Sequence, residues 1–271
     1  MPFLHAIVLG LTQGLTEFLP VSSSAHLRIV PALLGWEDPG TAFTAVVQLG
    51  TMAAVLLYFR KELLSIARAW LTELRTPRSE RSLDARLGWL IIFGTIPISI
   101  IGLALKGPIE SGARDLYLIG AMLICFSGVM LGAERLGKRD RPLSDIHGRD
   151  GAWIGFAQAL ALIPGVSRSG ATISAGLFRN LDREAAARYS FLLSVPAVVL
   201  SGLFELKDIG SGGGASAGAT LIAAVTAFVT GYIAIAWLLR YLASHSLGIF
   251  VVYRVVLGLL VLSLAASGAI S

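Results

Sequence analysis

The sequence predicts an all-α polytopic membrane protein, an inverted repeat in which each half is one re-entrant helical hairpin plus three transmembrane helices. Three observations lead there: a composition poor in charge, six apolar runs of spanning length, and a polar Pro- and Ser-containing segment that occurs twice. Of the 271 residues, 55% are hydrophobic and 14% charged, with a mean hydropathy of +0.75. A soluble domain would carry about 25% charged residues. The net charge of +5 sits beside apolar runs, so it reads as a topology signal rather than a nucleic-acid footprint. Cys125 is the single cysteine, which excludes an internal disulfide, and the four histidines show no zinc-ligand spacing. No basic residue precedes Arg28, and this argues against a cleaved signal peptide.

A spanning helix needs roughly 20 mostly apolar residues. The segments 41–59, 87–106, 115–134, 187–204, 217–239 and 248–267 qualify. Two further apolar segments, 3–19 and 152–163, run into LPVSSSAH (19–26) and IPGVSRSGAT (163–172). Proline and glycine break a helix there, and irregular backbone at membrane depth survives only when buried in protein or lining a wet cavity. Both are therefore expected as re-entrant hairpins. GLTQGLTEFLPVSSS (10–24) aligns without gaps on GFAQALALIPGVSRS (155–169), at a constant offset of 145. Three candidate spans follow each copy. The chain reads as one membrane domain, 1–271, with repeat 1 over about 1–136 and repeat 2 over about 150–271.

Sixteen of the 22 Lys and Arg residues fall in connections on one side: 60–86, 135–149, 179–188 and Arg240. The opposite side has Arg28, Lys106, Arg114 and Lys207, and Arg168 and Arg254 lie within the membrane. The positive-inside rule makes the first side cytoplasmic. Three spans per half then invert the second half, so the first hairpin opens outward and the second toward the cytoplasm. Inverted repeats whose broken helices meet near the midplane commonly build a polar site. The GSGGGASAG run (210–218) is expected as a flexible outer loop.

Glu17 is the only acid within the first hairpin, with Gln13 one turn earlier on the same face. An ionisable group inside a membrane is costly and marks function by default. Ser22, Ser23 and Ser24 alone would read as a helix cap. With His26 close by, they are also raw material for an activated nucleophile or a proton relay. In the second loop Arg168 offers a permanently charged fork suited to phosphate or carboxylate. Gly165 lets backbone N–H groups approach an anion, and Ser167, Ser169 and Thr172 add hydroxyls. The helix that follows presents its positive end to the same point. The competing reading is an Arg168–Glu17 ion pair that only pins the hairpins together, and the two are compatible. Arg254 is open between a second phosphate contact, a guanidinium reaching the interface, and a partner for an acid. Gln48 is a weaker polar candidate.

Two motifs carry a resemblance. Gln13-x-x-x-Glu17-Phe-Leu-Pro-Val-Ser-Ser-Ser-Ala-His26 and Pro164-Gly-Val-Ser-Arg168-Ser-Gly-Ala-Thr172 resemble the paired elements of the undecaprenyl-diphosphate phosphatases, the bacitracin-resistance family. The stretch Phe250 to Arg254 is similar to a further family segment, and the likeness covers essentially the whole chain. Gln13 departs from the many members with Glu there, which makes Glu17 the essential acid. The resemblance implies hydrolysis of undecaprenyl diphosphate to undecaprenyl phosphate and inorganic phosphate. That reaction recycles the lipid carrier for peptidoglycan and other envelope polymers and confers bacitracin resistance. It implies a polyprenyl diphosphate substrate, no nucleic-acid partner, and an active site facing the periplasm from the bacterial inner membrane. It also implies a divalent cation, Mg²⁺ or Ca²⁺, with Glu17 as its ligand, and leaves a homodimer open. Glu17, Ser23, His26 and Arg168 are then the catalytic candidates. Gln13, Ser22, Ser24, Gly165, Ser167, Ser169, Thr172 and Arg254 are the substrate-binding ones. Attack by Ser23, by His26 or by water stays open. The rival classes are a lipid-phosphate flippase and the type-2 phosphatidic-acid phosphatases. The latter is disfavoured, because no Lys-x6-Arg-Pro occurs and no His follows Arg168 at the required spacing.

Overall fold

The computed structural model describes residues 1–112, 114–205 and 216–270, without the side chains of 41, 42, 110, 111 and 201–205. Most of the GSGGGASAG run and Lys207 therefore lie outside the described residues. The rest is helical: α1 Phe3–Phe18, α2 Ser23–Leu34, α3 Gly40–Tyr58, α4 Arg60–Thr72, α5 Leu83–Ala104, α6 Lys106–Gly112, α7 Leu116–Leu136, α8 Gly148–Ala159, α9 Arg168–Phe178, α10 Arg183–Glu205, α11 Ala217–Leu242 and α12 Gly248–Ala266. No strand occurs among the described residues.

Helices α5, α7, α11 and α12 are long and apolar enough to cross a membrane. Phe43–Tyr58 and Arg60–Thr72 pass as a fifth, broken span bent by 74°. The sequence predicts six spans. The sixth, 187–204, falls in α10, and its last residues, 201–204, lie outside those whose side chains are described. The 60–86 connection is also more ordered than a loop, since α4 occupies half of it. Apolar side chains face outward in helical rows, such as Leu221, Val225, Val229, Ile233 and Trp237 on α11. Rows of this kind suit lipid, because a water-facing surface rarely carries so large an apolar patch.

Helix α1 lies against α11, and α8 lies against α5. Small residues allow both approaches. A Cβ on Gly14 would stand 1.8 Å from Thr230 Oγ1, and one on Gly155 would stand 2.5 Å from Gly94 Cα. Close backbone approach at small residues is how membrane helices gain dispersion contact without a hydrophobic driving force. Helix α7 packs on α12, and α3 on α10 and α11.

Charges pair near the helix ends. Asp38 takes Arg28 and Arg114. Elsewhere Asp150 takes Arg141 and Arg179 at 2.7 Å each, Glu134 takes Arg139 and Arg183, and Glu62 takes Arg188 at 2.8 Å. Five basic residues of the predicted cytoplasmic side so share these three acids, and among the described residues no basic residue of the predicted outer side pairs with them.

Candidate active site

The helix breaks fall where the sequence places them. Leu19 to Val21 separate α1 from α2, and Ile163 to Val166 separate the 3₁₀ turn Leu160–Leu162 from α9. Ser22 (φ 74°) and Ser167 (φ 77°) occupy the residue before each new helix. Left-handed backbone in a non-glycine residue is uncommon and clusters at functional sites. The two serines stand 145 positions apart, the offset of the repeated motif. Hydroxyl contacts recur at the same offset: Ser22 with Ser24 at 3.3 Å, and Ser167 with Ser169 at 3.1 Å.

The two loops meet at Glu17. Its Oε1 accepts from Arg168 Nη2 at 2.5 Å. Its Oε2 accepts from Ser23 Oγ at 2.5 Å and from Gln13 Nε2 at 2.9 Å. Arg168 Nη1 also donates to the Ser194 carbonyl at 3.3 Å. An ionised carboxylate only accepts, so the Gln13 amide must turn its nitrogen toward Glu17. Gln13 Oε1 is then left buried with no protein partner. Thr51, which the sequence did not single out, holds Gln13 from α3 at 3.5 Å.

A cavity of about 520 Å³ opens above this cluster. Gln13, Glu17, Ser22, Ser23, Ser24, Ser167 and Arg168 line it, as does Gln48. Thr44, Ser99 and Lys106 continue a polar wall away from Arg168, and Ile98, Leu103, Leu162, Val198 and Leu200 form an apolar one. The polar wall residues come from helices without motif character, and nothing local in the sequence marks them.

The remaining candidates lie outside the lining. Ser169 donates to the Leu19 carbonyl at 2.9 Å, tying loop two to loop one. Thr172 is fully buried and bonded to Ser190 at 2.5 Å and to the Arg168 carbonyl at 2.8 Å. His26 does not reach Ser23. Its Nδ1 lies 2.7 Å from the Ser22 carbonyl, and its Nε2 lies 2.6 Å from the Tyr253 hydroxyl. A carbonyl cannot donate, so Nδ1 carries the proton and Nε2 accepts from Tyr253. In this structure the group bonded to the Ser23 hydroxyl is the Glu17 carboxylate.

Arg254 is 0% exposed, forms no ion pair with an acid among the described residues and is not in the lining of this cavity. Its Nη1 donates to the Pro20 carbonyl at 3.3 Å and its Nη2 to the Gly165 carbonyl at 2.8 Å. Pro20 and Gly165 are again 145 apart. One guanidinium thus clamps the same position of both loops, with Ser127 Oγ at 3.3 Å and the Met122 carbonyl at 3.4 Å as further acceptors. Gly165 takes a φ of 90°, and a Cβ there would stand 2.7 Å from the Ile119 carbonyl. Glycine is required at that turn on both counts.

No group of three His, Cys, Asp or Glu side chains able to hold a metal occurs among the described residues. The site itself supplies the Glu17 carboxylate and the unpartnered Gln13 Oε1. That set is too sparse for the six to eight oxygens of Ca²⁺. It fits Mg²⁺, which is commonly held by one or two carboxylates together with substrate phosphates.

A helical chain with spanning segments that buries a carboxylate, a guanidinium and a hydroxyl at the head of one cavity is a multi-pass membrane protein with a buried polar site. The family model described as bacitracin resistance protein BacA matches residues 6–260, and the chain belongs to that family. It is 56% identical over 270 residues to an undecaprenyl-diphosphatase of Nocardioides sp., covering 99% of this chain and 98% of the relative. It is 53% identical over 289 residues to undecaprenyl-diphosphatase 3 of Frankia alni, covering 100% and 97%. An undecaprenyl-diphosphatase of Mycobacterium sp. (strain KMS) is 53% identical over 275 residues, covering 100% and 99%.

Proposed function

We propose that this chain hydrolyses undecaprenyl diphosphate to undecaprenyl phosphate and inorganic phosphate. The observation that carries the mechanism is Glu17, with Ser23 on one carboxylate oxygen and Arg168 on the other. A diphosphate entering the cavity draws Arg168 from Glu17, because the guanidinium fork bonds phosphate oxygens in the same bidentate manner. Glu17, released from its counter-ion, accepts the Ser23 proton. Ser23 Oγ attacks the terminal phosphorus, the bond to the bridging oxygen breaks, and undecaprenyl phosphate departs. The departing undecaprenyl phosphate takes the proton from Glu17, which restores the carboxylate. Water then attacks the phosphoserine and gives its proton to Glu17. The Ser23 Oγ–phosphorus bond breaks, Ser23 Oγ takes the proton back from Glu17, and inorganic phosphate leaves. Arg168, assisted by the N-terminal end of α9, offsets the charge that develops on the phosphoryl oxygens. His26 and Arg254 hold loop geometry rather than touch substrate. A Mg²⁺ ion held by Glu17, Gln13 Oε1 and the diphosphate would neutralise phosphate charge.

The inverted-repeat reading has support in paired features at one offset: two left-handed serines, two Ser-x-Ser contacts and two carbonyls on Arg254. The exchange of partners, α1 on α11 and α8 on α5, agrees with two re-entrant hairpins, each packed on the other half. The same features support two repeats within one membrane domain. The cavity wall of Thr44, Gln48, Ser99 and Lys106 lies toward the ends of α3 and α5 that the charge asymmetry assigns to the outside. An active site facing the periplasm from the inner membrane is consistent with that. The flippase reading is not favoured, because the second loop has Leu162 where the first has Glu17.

The test is phosphate release from undecaprenyl diphosphate by purified protein in detergent with Mg²⁺. Turnover by wild type and its loss in Glu17→Ala and Arg168→Ala, with folding intact, is the expected result. No release by folded wild type would end the proposal. A phosphorylated residue trapped at a position other than Ser23 would replace the serine step.

A further inference from the structure

The cavity at the candidate site, about 520 Å³, is of a size that holds a drug-sized molecule. A diphosphate carrying eleven isoprene units is larger than that, so most of its tail must lie outside the cavity. The apolar wall gives a direction. Leu103 and Leu200 both line the cavity, yet they are 66% and 53% exposed on the lipid-facing surface. Ile96, Ile100 and Leu103 form one outward helical row on α5, and Leu160 is exposed on the 3₁₀ turn that α5 contacts. Between these two apolar surfaces Gly102 stands opposite Leu162, and both line the cavity. Among the described residues, a Cβ on Gly102 would meet only the Leu162 methyls, at 3.6 and 3.9 Å. Here the absence of a side chain leaves room and is not needed for a backbone turn or a helix contact.

We infer that the seam between α5 and the Leu160–Leu162 turn is a lateral portal through which the prenyl tail of the substrate reaches the lipid, with Gly102 and Leu162 setting its width. The inference rests on the proposed lipid-diphosphate hydrolysis and adds the route of the tail. The portal has a geometric consequence for selectivity. A long tail must thread the seam to bring its diphosphate to Arg168. A short-chain, water-soluble diphosphate enters through the polar mouth beside Lys106 and Thr44. Closing the seam therefore penalises long chains selectively, whereas closing the head-group chamber penalises both.

The experiment compares kcat/KM for undecaprenyl diphosphate and geranyl diphosphate in wild type, Gly102→Ala, Gly102→Leu and Gly102→Leu/Leu162→Ala, with thermal unfolding recorded for each. Gly102→Ala is expected to keep the wild-type ratio, because its methyl makes only ordinary contact. Gly102→Leu is expected to lower the long-to-short ratio about tenfold, within the range that added bulk in an apolar pocket imposes. The double variant is expected to regain most of it. An unchanged ratio in Gly102→Leu, whether both activities fall or neither does, overturns the portal. So does a ratio that stays low in a folded double variant. Failure of wild type to release phosphate from either substrate is a different result, and it would remove the hydrolase reading itself.

Discussion

The loop between α1 and α2 and the loop leading into α9 share a backbone and differ in chemistry. Both place a left-handed serine before a helix, both bond that serine to the second hydroxyl beyond it, and both offer one carbonyl to Arg254. Yet Glu17, Ser23 and His26 of the first correspond to Leu162, Arg168 and Ala171 of the second. The acid and the hydroxyl sit in one loop and the cation in the other. Neither loop is a site alone. The comparison teaches that a repeat can supply symmetric scaffolding while substitution at a few positions makes the site one-sided.

The strongest way to break the comparison is to remove the asymmetric charges. Glu17→Ala and Arg168→Ala are each expected to lower kcat by about 10³-fold or more, since a single preorganised donor is worth about 10²–10³. Each also leaves the other charge buried and unpaired, at a cost of about 3–5 kcal/mol, seen as a lowered unfolding temperature. Moving the acid to the other loop, in Glu17→Leu/Leu162→Glu, is expected not to restore phosphate release, because Ser23 has no counterpart there. Recovery in that variant would mean the loops are interchangeable.

Comparable in size is Ser23→Ala, expected to reduce kcat by about 10³-fold or more with KM little changed, as loss of a nucleophile requires. Near-normal turnover would make water the nucleophile and leave Ser23 as a partner of Glu17. Arg254→Met tests the symmetric clamp. It strands the buried carbonyls of Pro20 and Gly165, each worth about 1–3 kcal/mol unsatisfied, and thermal unfolding should report the sum. The smallest effects test the serine pair. Ser22→Gly relieves a left-handed residue whose side chain makes no cap bond, and should stabilise by about 1 kcal/mol. Ser167→Gly also removes the cap bond to Gly170 N, worth about 0.5–2 kcal/mol, and should gain less. Equal shifts would remove the distinction.

Part of this was legible in residue order. Helix class, the two breaks and the set Gln13, Glu17, Ser23 and Arg168 follow from apolar run length, Pro-Ser punctuation and the cost of charge in a membrane. The sequence reads 187–204 as a span, and that stretch lies within α10. It paired Ser23 with His26 by proximity in the chain. In α2 these positions are three apart, and His26 instead turns to Tyr253, 227 residues away.

The sequence by itself determined that the chain is helical, suited to a bilayer, and broken twice at matching motifs. Those are local matters of hydropathy period and backbone permission. Only the tertiary structure decided which oxygen of Glu17 faces Ser23 and which faces Arg168. It alone turned Arg254 from a phosphate candidate into a clamp, and it opened an apolar seam beside Gly102. Contacts across 89, 151 and 234 residues set these roles. No local pattern encodes such contacts, because packing of distant helices fixes them.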